Sequence, residues 1–371
     1  MEENRKIKVL VLSTSLRRKG GVTNYVKLLM QYLDKKKYHV NHFTQGKNPT
    51  KWKNIVLPFI VTYQLLKFKQ VLKEYQPDIV HLNSGIGKTS IIRDFVFLQM
   101  SKKERVFSLF FIHGWKKPVF DYINSNRLFK KKNYNRISMA DAIVVLASQF
   151  KRELVDLGVD SQKIFVSSTM VESDKYCLEN KDFDSSFKVL FCANMHIKKG
   201  PYELLNAVPF VLEKYPQTKF IFVGEGKELE NLKEKSMELS IENNVDFTGY
   251  ISNIEKIKIF KNSNIFVYPS YYGEGFPTVI LEAMGAGMPL VTTPVAGLAD
   301  ALENGKQGLI IKSIPPEPEE IADKIIRLIE NPELMKAMSK NNLKEAKEKY
   351  DINVVCKKIE RIYEEILGGI Y

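Results

Sequence analysis

Cysteine, histidine and long apolar runs are what this 371-residue chain has least of. Its three cysteines, Cys177, Cys192 and Cys356, are far apart and form no Cys-x-x-Cys pair. With only five histidines beside them, they give neither a zinc-site spacing nor a disulfide framework, and they fit a reducing compartment as small buried residues. The longest uncharged run, 283–299, is broken by glycine and proline, so no segment is expected to span a membrane. The N-terminal apolar run is short, follows acids and lacks a small-residue cleavage site; it reads as a first β-strand, not a signal peptide. No cluster of histidine and carboxylate spacing suggests a bound metal, and none is expected.

Acidic residues are scarce in one half only. Residues 1–167 hold 31 Lys and Arg against 12 Asp and Glu, whereas residues 168–371 hold 25 against 31. The net charge of +13 therefore comes from a first half at +19 and a second at −6. Such a split suggests that the first half faces an anionic partner. Its basic clusters are Arg17-Arg18-Lys19, Lys35-Lys36-Lys37, Lys102-Lys103, Lys116-Lys117 and Lys130-Lys131-Lys132. Aromatic residues interleave with them: Trp52, Phe59, Trp115, Phe120, Tyr122, Phe129 and Tyr134. No helix-turn-helix, zinc-finger or RNA-recognition signature accompanies the charge, so nucleic acid is not expected as the partner. An anionic bilayer is, at about 1 kcal/mol per basic residue near the surface.

What is present is alternation. Strand-like runs at 8–12, 78–82, 106–112, 142–146 and 163–167 are interspersed with helical spacing at 24–33 and 60–75. Residues 168–186 are rich in turn formers and read as a linker. A second series follows, with strands starting at Lys188 and at 219–223, 245–248, 265–268 and 290–292, and helices at 202–214, 227–238, 255–262 and 278–285. The tail, 318–367, is helical with a break at Pro332. Two such series imply an α/β protein of two Rossmann-like β/α/β domains, each a mostly parallel sheet covered by helices, facing a central cleft. The expected boundaries are 1–167 and 168–351. Ligands of such sheets sit beyond the carboxyl ends of the strands.

One segment concentrates chemistry there: Gly273-Glu274-Gly275-Phe276-Pro277-Thr278-Val279-Ile280-Leu281-Glu282. A strand ends near Pro269, a glycine-rich turn follows, and a helix starts near Pro277, which suits a first helical turn. Free N–H groups at such a start make an anion site suited to a diphosphate. Glu274, in the loop, would accept hydrogen bonds from sugar hydroxyls, and Glu282, inside the helix, would take a ribose diol.

The spacing of Glu274 and Glu282, with Gly275-Phe276-Pro277 between them, resembles the paired-glutamate signature of the retaining glycosyltransferases of family 4, which have the GT-B architecture. The run from Ala283 to Thr292 and Gly297 with Asp300 also look like that family. Gly20-Gly21-Val22-Thr23 resembles its glycine-rich loop near the donor phosphate or acceptor. Ala193-Asn194-Met195-His196-Ile197-Lys198-Lys199-Gly200 is similar to its Gly-Arg-Leu…Lys-Gly segment. There Lys199 falls on the lysine that clamps the diphosphate, but Asn194 stands where the family has arginine. An amide lacks the bidentate grip of a guanidinium, so weaker donor binding, or sharing with Lys198 or His196, is expected. Gly224, in Gly224-Glu225-Gly226, resembles a strand-turn of the family, and Tyr250 with Ile251 its base-pocket border. His113 falls where the family carries a histidine lining the cleft, whereas His81 is expected to be structural.

The resemblance implies a retaining, metal-independent hexosyl transfer from a nucleoside diphosphate sugar to a glycan or lipid-linked acceptor, without a cofactor. Lys199 and the helix start at Thr278 would hold the diphosphate, Glu274 and His113 the sugar, and Glu282 the ribose. It further implies an acceptor-binding first domain, a donor-binding second one, and a last helix, about 352–371, packed back on the first domain with Val355, Ile359, Ile362 and Ile366 buried. The setting expected is the inner face of the cytoplasmic membrane, in surface polysaccharide or lipopolysaccharide synthesis. Two other classes fit parts of the pattern. One is a nucleotide-sugar-binding partner subunit without catalysis, which Asn194 favours. The other is a different two-domain enzyme such as a nucleotide-sugar epimerase or a phosphorylase.

Overall fold

The computed structural model describes residues 5–18, 20–45, 57–87, 90–115, 117–118, 120–121, 136–178, 181, 183, 187–271, 273 and 275–368, without the side chains of 57–61, 86, 91 and 92. Glu274, Lys19, Trp52, Lys116, Tyr122, Phe129, Lys130, Lys131, Lys132 and Tyr134 lie outside the described residues, as does the side chain of Phe59.

The chain divides into two compact units. One comprises Met1–Ser168, Gly273–Phe276 and Ile352–Tyr371; the other comprises Thr169–Tyr272 and Pro277–Asp351. In the first, β1 (Ile7–Ser13), β2 (Tyr38–Thr44), β3 (Ile79–Ile86), β4 (Phe107–Trp115), β5 (Ala142–Val145) and β6 (Ile164–Val166) form a six-stranded sheet in the order β2-β1-β3-β4-β5-β6, every pair parallel. Helices α1 (Gly21–Tyr32), α2 (Leu57–Tyr75), α3 (Ser90–Lys103) and α4 (Ser148–Asp156) belong to the connections. The central strands are apolar almost without alternation because helices cover both faces. Val9 to Leu12, Leu109 to Ile112 and Ala142 to Val145 are all buried.

Strand β2, helices α3 and α4, and the short strand Gly308–Ile310 are absent from the sequence reading. The strand Tyr38–Thr44 shows why: its burial pattern is that of a sheet edge, and its sequence, YHVNHFT, is half polar. Gly21, read as part of a loop, is the first residue of α1.

The second unit repeats the plan. Strands β7 (Lys188–Cys192), β8 (Lys219–Val223), β9 (Val245–Gly249), β10 (Ile265–Tyr268), β11 (Leu290–Thr292) and β12 (Gly308–Ile310) run parallel in the order β12-β11-β10-β7-β8-β9. Its helices are the single turn α5 (Ser173–Tyr176), α6 (Pro201–Lys214), α7 (Leu229–Glu238), α8 (Asn253–Lys261), α9 (Thr278–Gly285), the single turn α10 (Leu298–Ala301), α11 (Pro318–Ile329) and α12 (Pro332–Lys349). One core runs from Val189 and Phe191 through Leu205, Val208, Phe220 and Phe222 to Ile325 and Met338.

The stretch 168–186 is expected from its composition to be a linker, but its described residues are packed rather than loose. Ser168, Thr169, Met170, Val171, Tyr176 and Phe183 are all buried. Val171 N–H donates to Tyr350 O at 3.1 Å, and Ser173 Oγ donates to Asp351 Oδ2 at 2.6 Å. Lys181 Nζ donates to the carbonyls of Phe260 and Lys261, at 3.1 and 3.0 Å, and to that of Ser263, at the end of α8. The buried residues follow no helical or strand period, so pattern alone misses them.

The last helix, α13 (Ile352–Leu367), belongs to the first unit. Val355, Ile359 and Ile362 are buried in it, joined by Cys356, Tyr363 and Leu367. Ile366 is only half-buried; in the last turn Leu367 is the buried residue. Tyr363 reaches His81, with its hydroxyl 2.6 Å from Nδ1. His81 is fully buried, and burial with the nearby His113 pushes its pKa down to about 3. Among the described residues no helix is long and apolar enough to cross a membrane.

Candidate functional site

In the second sheet, β7 and β10 are neighbours, and the chain leaves them toward opposite edges. This is the switch point where loops at the strand ends part and leave room for a ligand. The loop after β7 carries Asn194 and Lys199; the loop after β10 leads to Pro277 and Thr278. Tyr271 N–H donates to Lys198 O at 3.1 Å and joins the two. The loop after β8 supports the first. Ala193 N–H donates to Val223 O at 3.0 Å, and Met195 N–H to Glu225 O at 2.9 Å. Gly224 permits this approach: its φ is 137°, and a Cβ there would lie 1.9 Å from Ala193 O. Its place in the motif is thus explained by backbone packing beneath Asn194.

Asn194 and Lys198 are exposed, and His196 uses Nδ1 to accept from Lys198 N–H at 3.2 Å, capping the turn Ile197–Lys199. Lys199 Nζ donates to Tyr268 Oη at 3.0 Å and sits 5.7 Å from the centre of that ring. Burial pulls its pKa down to about 8. A lysine placed so, partly buried at the strand ends, is suited to an anionic ligand, which favours its ammonium form.

Helix α9 begins just beyond, with Pro277 at its cap position. Proline offers no capping side chain, and no acid occupies the first turn. The helix start therefore retains donors and positive dipole for an anion. Thr278 is half-buried. One turn on, Glu282 is 4 % exposed. Its Oε1 accepts from Lys256 Nζ at 2.6 Å, its Oε2 is shut away from solvent, and the Tyr176 phenol hydrogen-bonds to the same carboxylate. Lys256 comes from α8, whose start is fixed by a capping box of Ser252 and Glu255. Around the carboxylate, burial and the Glu282 charge push the Cys192 thiol up to about 12 and raise the Tyr176 phenol. Tyr250, at the end of β9, is exposed.

The remaining sequence candidates belong to the first unit. His113, on β4, is buried, stacked on Phe111 at 4.1 Å between ring centres and edge-on to Tyr25 at 4.8 Å. Its Nε2 lies 2.8 Å from Asn83 Oδ1, which can only accept, so Nε2 carries the proton and Nδ1 is left as an acceptor. Burial pushes its pKa down to about 3, so the ring is neutral. Asn83 is held in turn by its carbonyl, which accepts from Gln45 Nε2 at 2.9 Å. Gly275 packs on this strand end: a Cβ would lie 2.6 Å from His113 O and 2.5 Å from Leu146 Cδ1. Phe276 is buried beside it in sequence, and Gly21 is exposed.

Lys256, Tyr268 and Asn83 escaped the sequence reading. Lys256 looks like one more lysine of a charged helix, and nothing in its spacing signals a partner 26 positions away. Two proposed interfacial aromatics are corrected. Trp115 is 2 % exposed, stacked on Phe150, and donates from Nε1 to Glu153 Oε2 at 2.8 Å; Phe120 is buried against it. Among the described residues no three His, Cys, Asp or Glu side chains gather as a metal site. The sequence does hold one Asp-x-Asp triplet, Asp182-Phe183-Asp184, whose aspartates lie outside the described residues.

Two family models match, one after the other: glycosyltransferase family 4 over residues 19–175 and glycosyl transferases group 1 over residues 178–345. The chain is 24% identical over 318 residues to the capsular polysaccharide biosynthesis glycosyltransferase CapM of Staphylococcus aureus, covering 82% of this chain and 80% of CapM. It is 25% identical over 330 residues to the N,N'-diacetylbacillosaminyl-diphospho-undecaprenol alpha-1,3-N-acetylgalactosaminyltransferase of Campylobacter jejuni, covering 84% of each. Among solved structures, Anabaena Alr3699/HepE in complex with UDP-glucose superimposes with a TM-score of 0.74 at 19% identity, over 97% of this chain and 100% of that one.

Proposed function

Because the chain belongs to glycosyltransferase family 4, with the group 1 glycosyl transferase module in its second half, we propose that it is a retaining enzyme for surface polysaccharide or lipopolysaccharide assembly, moving a hexosyl group from a nucleoside diphosphate sugar to a lipid-linked or glycan acceptor. The observation that carries the donor side is the pairing, at one switch point, of Lys199 with the uncapped start of α9. In the reaction the bond from the anomeric carbon to the diphosphate breaks, a bond to an acceptor hydroxyl oxygen forms on the same face, and the hydroxyl proton passes to the leaving diphosphate oxygen. Charge accumulates on the leaving diphosphate. An ammonium and helix N–H groups already aimed at it lower the barrier without reorganising.

In this reading Asn194, Lys199, Pro277 and Thr278 line the diphosphate, with Gly224 supporting them, and Tyr250 borders the base. Glu274, Gly275 and Phe276 belong to the sugar side. Neutral His113 contributes Nδ1 as an acceptor for a sugar or acceptor hydroxyl; an imidazolium would lack that lone pair. Asn194 leaves the grip on the diphosphate to Lys199 and backbone donors. No metal or cofactor enters the proposal.

The acceptor side is drawn from the first half's charge and from the relative whose name includes a diphospho-undecaprenol acceptor. On α2, Tyr63 and Leu66 are each 64 % exposed beside exposed Lys67 and Lys69. That mixture suits peripheral contact with an anionic membrane face on the cytoplasmic side.

The test is thermal stability with UDP, GDP and their hexose conjugates in chelator, for wild type and Lys199→Met. One nucleotide series raises the melting temperature by mass action and the variant abolishes the rise. With the matching donor and membrane lipid as acceptor, nucleoside diphosphate is released, and the product's anomeric configuration by NMR equals the donor's. No shift with either series, or an inverted product, would overturn the reading.

A further inference from the structure

At the amino ends of β1, β3 and β4, the opposite edge of the first sheet from Asn83 and His113, lies a cavity of about 610 Å³. Its apolar wall is Leu72 and Leu367, both buried, with half-buried Val106 and Phe107. Arg5, Lys73 and Arg105 line it as cations, against Asp78 and Glu104. Asp78 is already engaged: Oδ1 accepts from Arg5 Nη2 at 2.8 Å and Oδ2 from Lys8 N–H at 2.7 Å. Lys73 and Arg105 are exposed, and among the described residues no carboxylate pairs with either. The lining thus keeps a net positive charge, and the basic pair Lys102-Lys103 adjoins it in the last turn of α3.

The backbone supplies a second observation. Helices α2 and α3 each stop at a residue in the left-handed conformation that glycine ordinarily takes there. After α2 it is Gln76, φ 48°, whose N–H donates to Leu72 O at 3.1 Å. After α3 it is Arg105, φ 58°, whose N–H donates to Lys102 O at 3.1 Å, while Val106 N–H donates to Ser101 O at 2.9 Å. Among the described residues only four that are not glycine have positive φ, and these two line one cavity. Basic residues in a last turn answer the helix dipole, which accounts for Lys73, Lys102 and Lys103. It does not call for a long side chain at the left-handed position itself. Strain kept beside an unpaired guanidinium and an apolar wall points to a ligand.

We propose that this cavity is a second ligand site, taking a phosphate monoester with a short apolar body. The Arg105 fork meets two phosphate oxygens, Lys73 adds a point charge, and the body lies over Leu72, Phe107 and Leu367. Two unpaired cations suit a group carrying roughly −1.5 to −2 at neutral pH. Gln76 brings an amide donor to the same wall. An adjoining opening of about 800 Å³ shares Arg5 and Leu367 and gives the body room to extend. The site is independent of the donor reading.

The test is titration calorimetry of the full chain with octyl phosphate below its micelle concentration, inorganic phosphate and octanol. The proteins are wild type, Lys73→Met and Arg105→Gly. Wild type binds octyl phosphate one to one, and each half-ligand at least about tenfold more weakly. Each variant weakens octyl phosphate about tenfold, as loss of a charged hydrogen bond predicts. Arg105→Gly relieves the left-handed backbone and melts no lower than wild type, which removes misfolding as the cause of its loss. Flotation with phosphatidylcholine vesicles, with and without phosphatidic acid, separates the sources of the phosphate. Capture by phosphatidic acid that Arg105→Gly abolishes assigns a lipid; capture unchanged in the variant assigns a soluble molecule. Octyl phosphate bound equally by wild type and both variants, or no tighter than inorganic phosphate, would overturn the proposal, the second result leaving only a basic surface. So would the absence of any saturable binding to wild type.

Discussion

Substituting Gly224 by alanine puts a methyl group where there is no room for one. Its Cβ would begin 1.9 Å from Ala193 O, and an ordinary contact needs 3.4 Å or more. The loops after β7 and β8 must part by roughly that difference. Two backbone hydrogen bonds, Ala193 N–H to Val223 O and Met195 N–H to Glu225 O, bridge the same gap at 3.0 and 2.9 Å and would stretch out of range. Each costs about 1 kcal/mol net. A further 1–2 kcal/mol, roughly, is the strain of an L-residue at φ 137°. Gly224→Ala should therefore destabilise by about 3–4 kcal/mol, a large part of a typical 5–15 kcal/mol. Gly305 is the control: its φ is 89°, but nothing lies within 4 Å of a Cβ there. Gly305→Ala should cost only the strain, about 1–2 kcal/mol. Both tryptophans, Trp52 and Trp115, are in the N-terminal half, so urea unfolding is best followed by far-ultraviolet circular dichroism. If the two variants unfold at the same urea concentration, the close-packing account of the Gly224-Glu225-Gly226 turn is wrong.

Two further expectations are simpler. Lys199, with its pKa pulled down to about 8, is half neutral near that pH in the free protein. A diphosphate selects the ammonium form, so its affinity is full below pH 8 and falls above it, by up to about tenfold per pH unit. Calorimetry near pH 8 in buffers of different ionisation enthalpy should show proton uptake on binding; none would mean that Lys199 does not meet the anion. Tyr363→Phe strips the hydroxyl from buried His81 Nδ1, a contact of 2.6 Å, and should cost about 1–3 kcal/mol in urea unfolding. A loss below about 0.5 kcal/mol, the scale of an ordinary surface change, would show that this contact contributes nothing.

The parts of the fold that could be read in advance are those whose pattern is local. Strand 265–268, helix 278–285 and strand 290–292 fall where the apolar runs and the Pro277 start place them. The edge strand Tyr38–Thr44 escaped because exposure on one side dilutes its apolar signal. The buried stretch around Met170 and Phe183 escaped because it has no period at all. At the candidate site, residue types and loop positions were legible, but partnerships were not. Glu282 reads as a free acceptor until Lys256 is seen on it, and Trp115 reads as interfacial until Phe150 and Glu153 are seen around it. Such pairs are fixed by which helices a sheet brings side by side, information that no window of sequence contains.

The joined ends of the second unit have a use outside enzymology. Val171 pairs with Asp351 as an isolated parallel bridge, and Ser173 donates to the same aspartate from both its amide and its hydroxyl. The entry and exit of residues 169–351 are thus fastened to one another within that unit. Cut out as a separate cassette, such a segment has no gap to span: its first and last residues need only a short turn between them to make a closed or permuted chain. The transplantable boundary for grafting this module into another protein is the Val171–Asp351 seam, with Ser173 kept inside it.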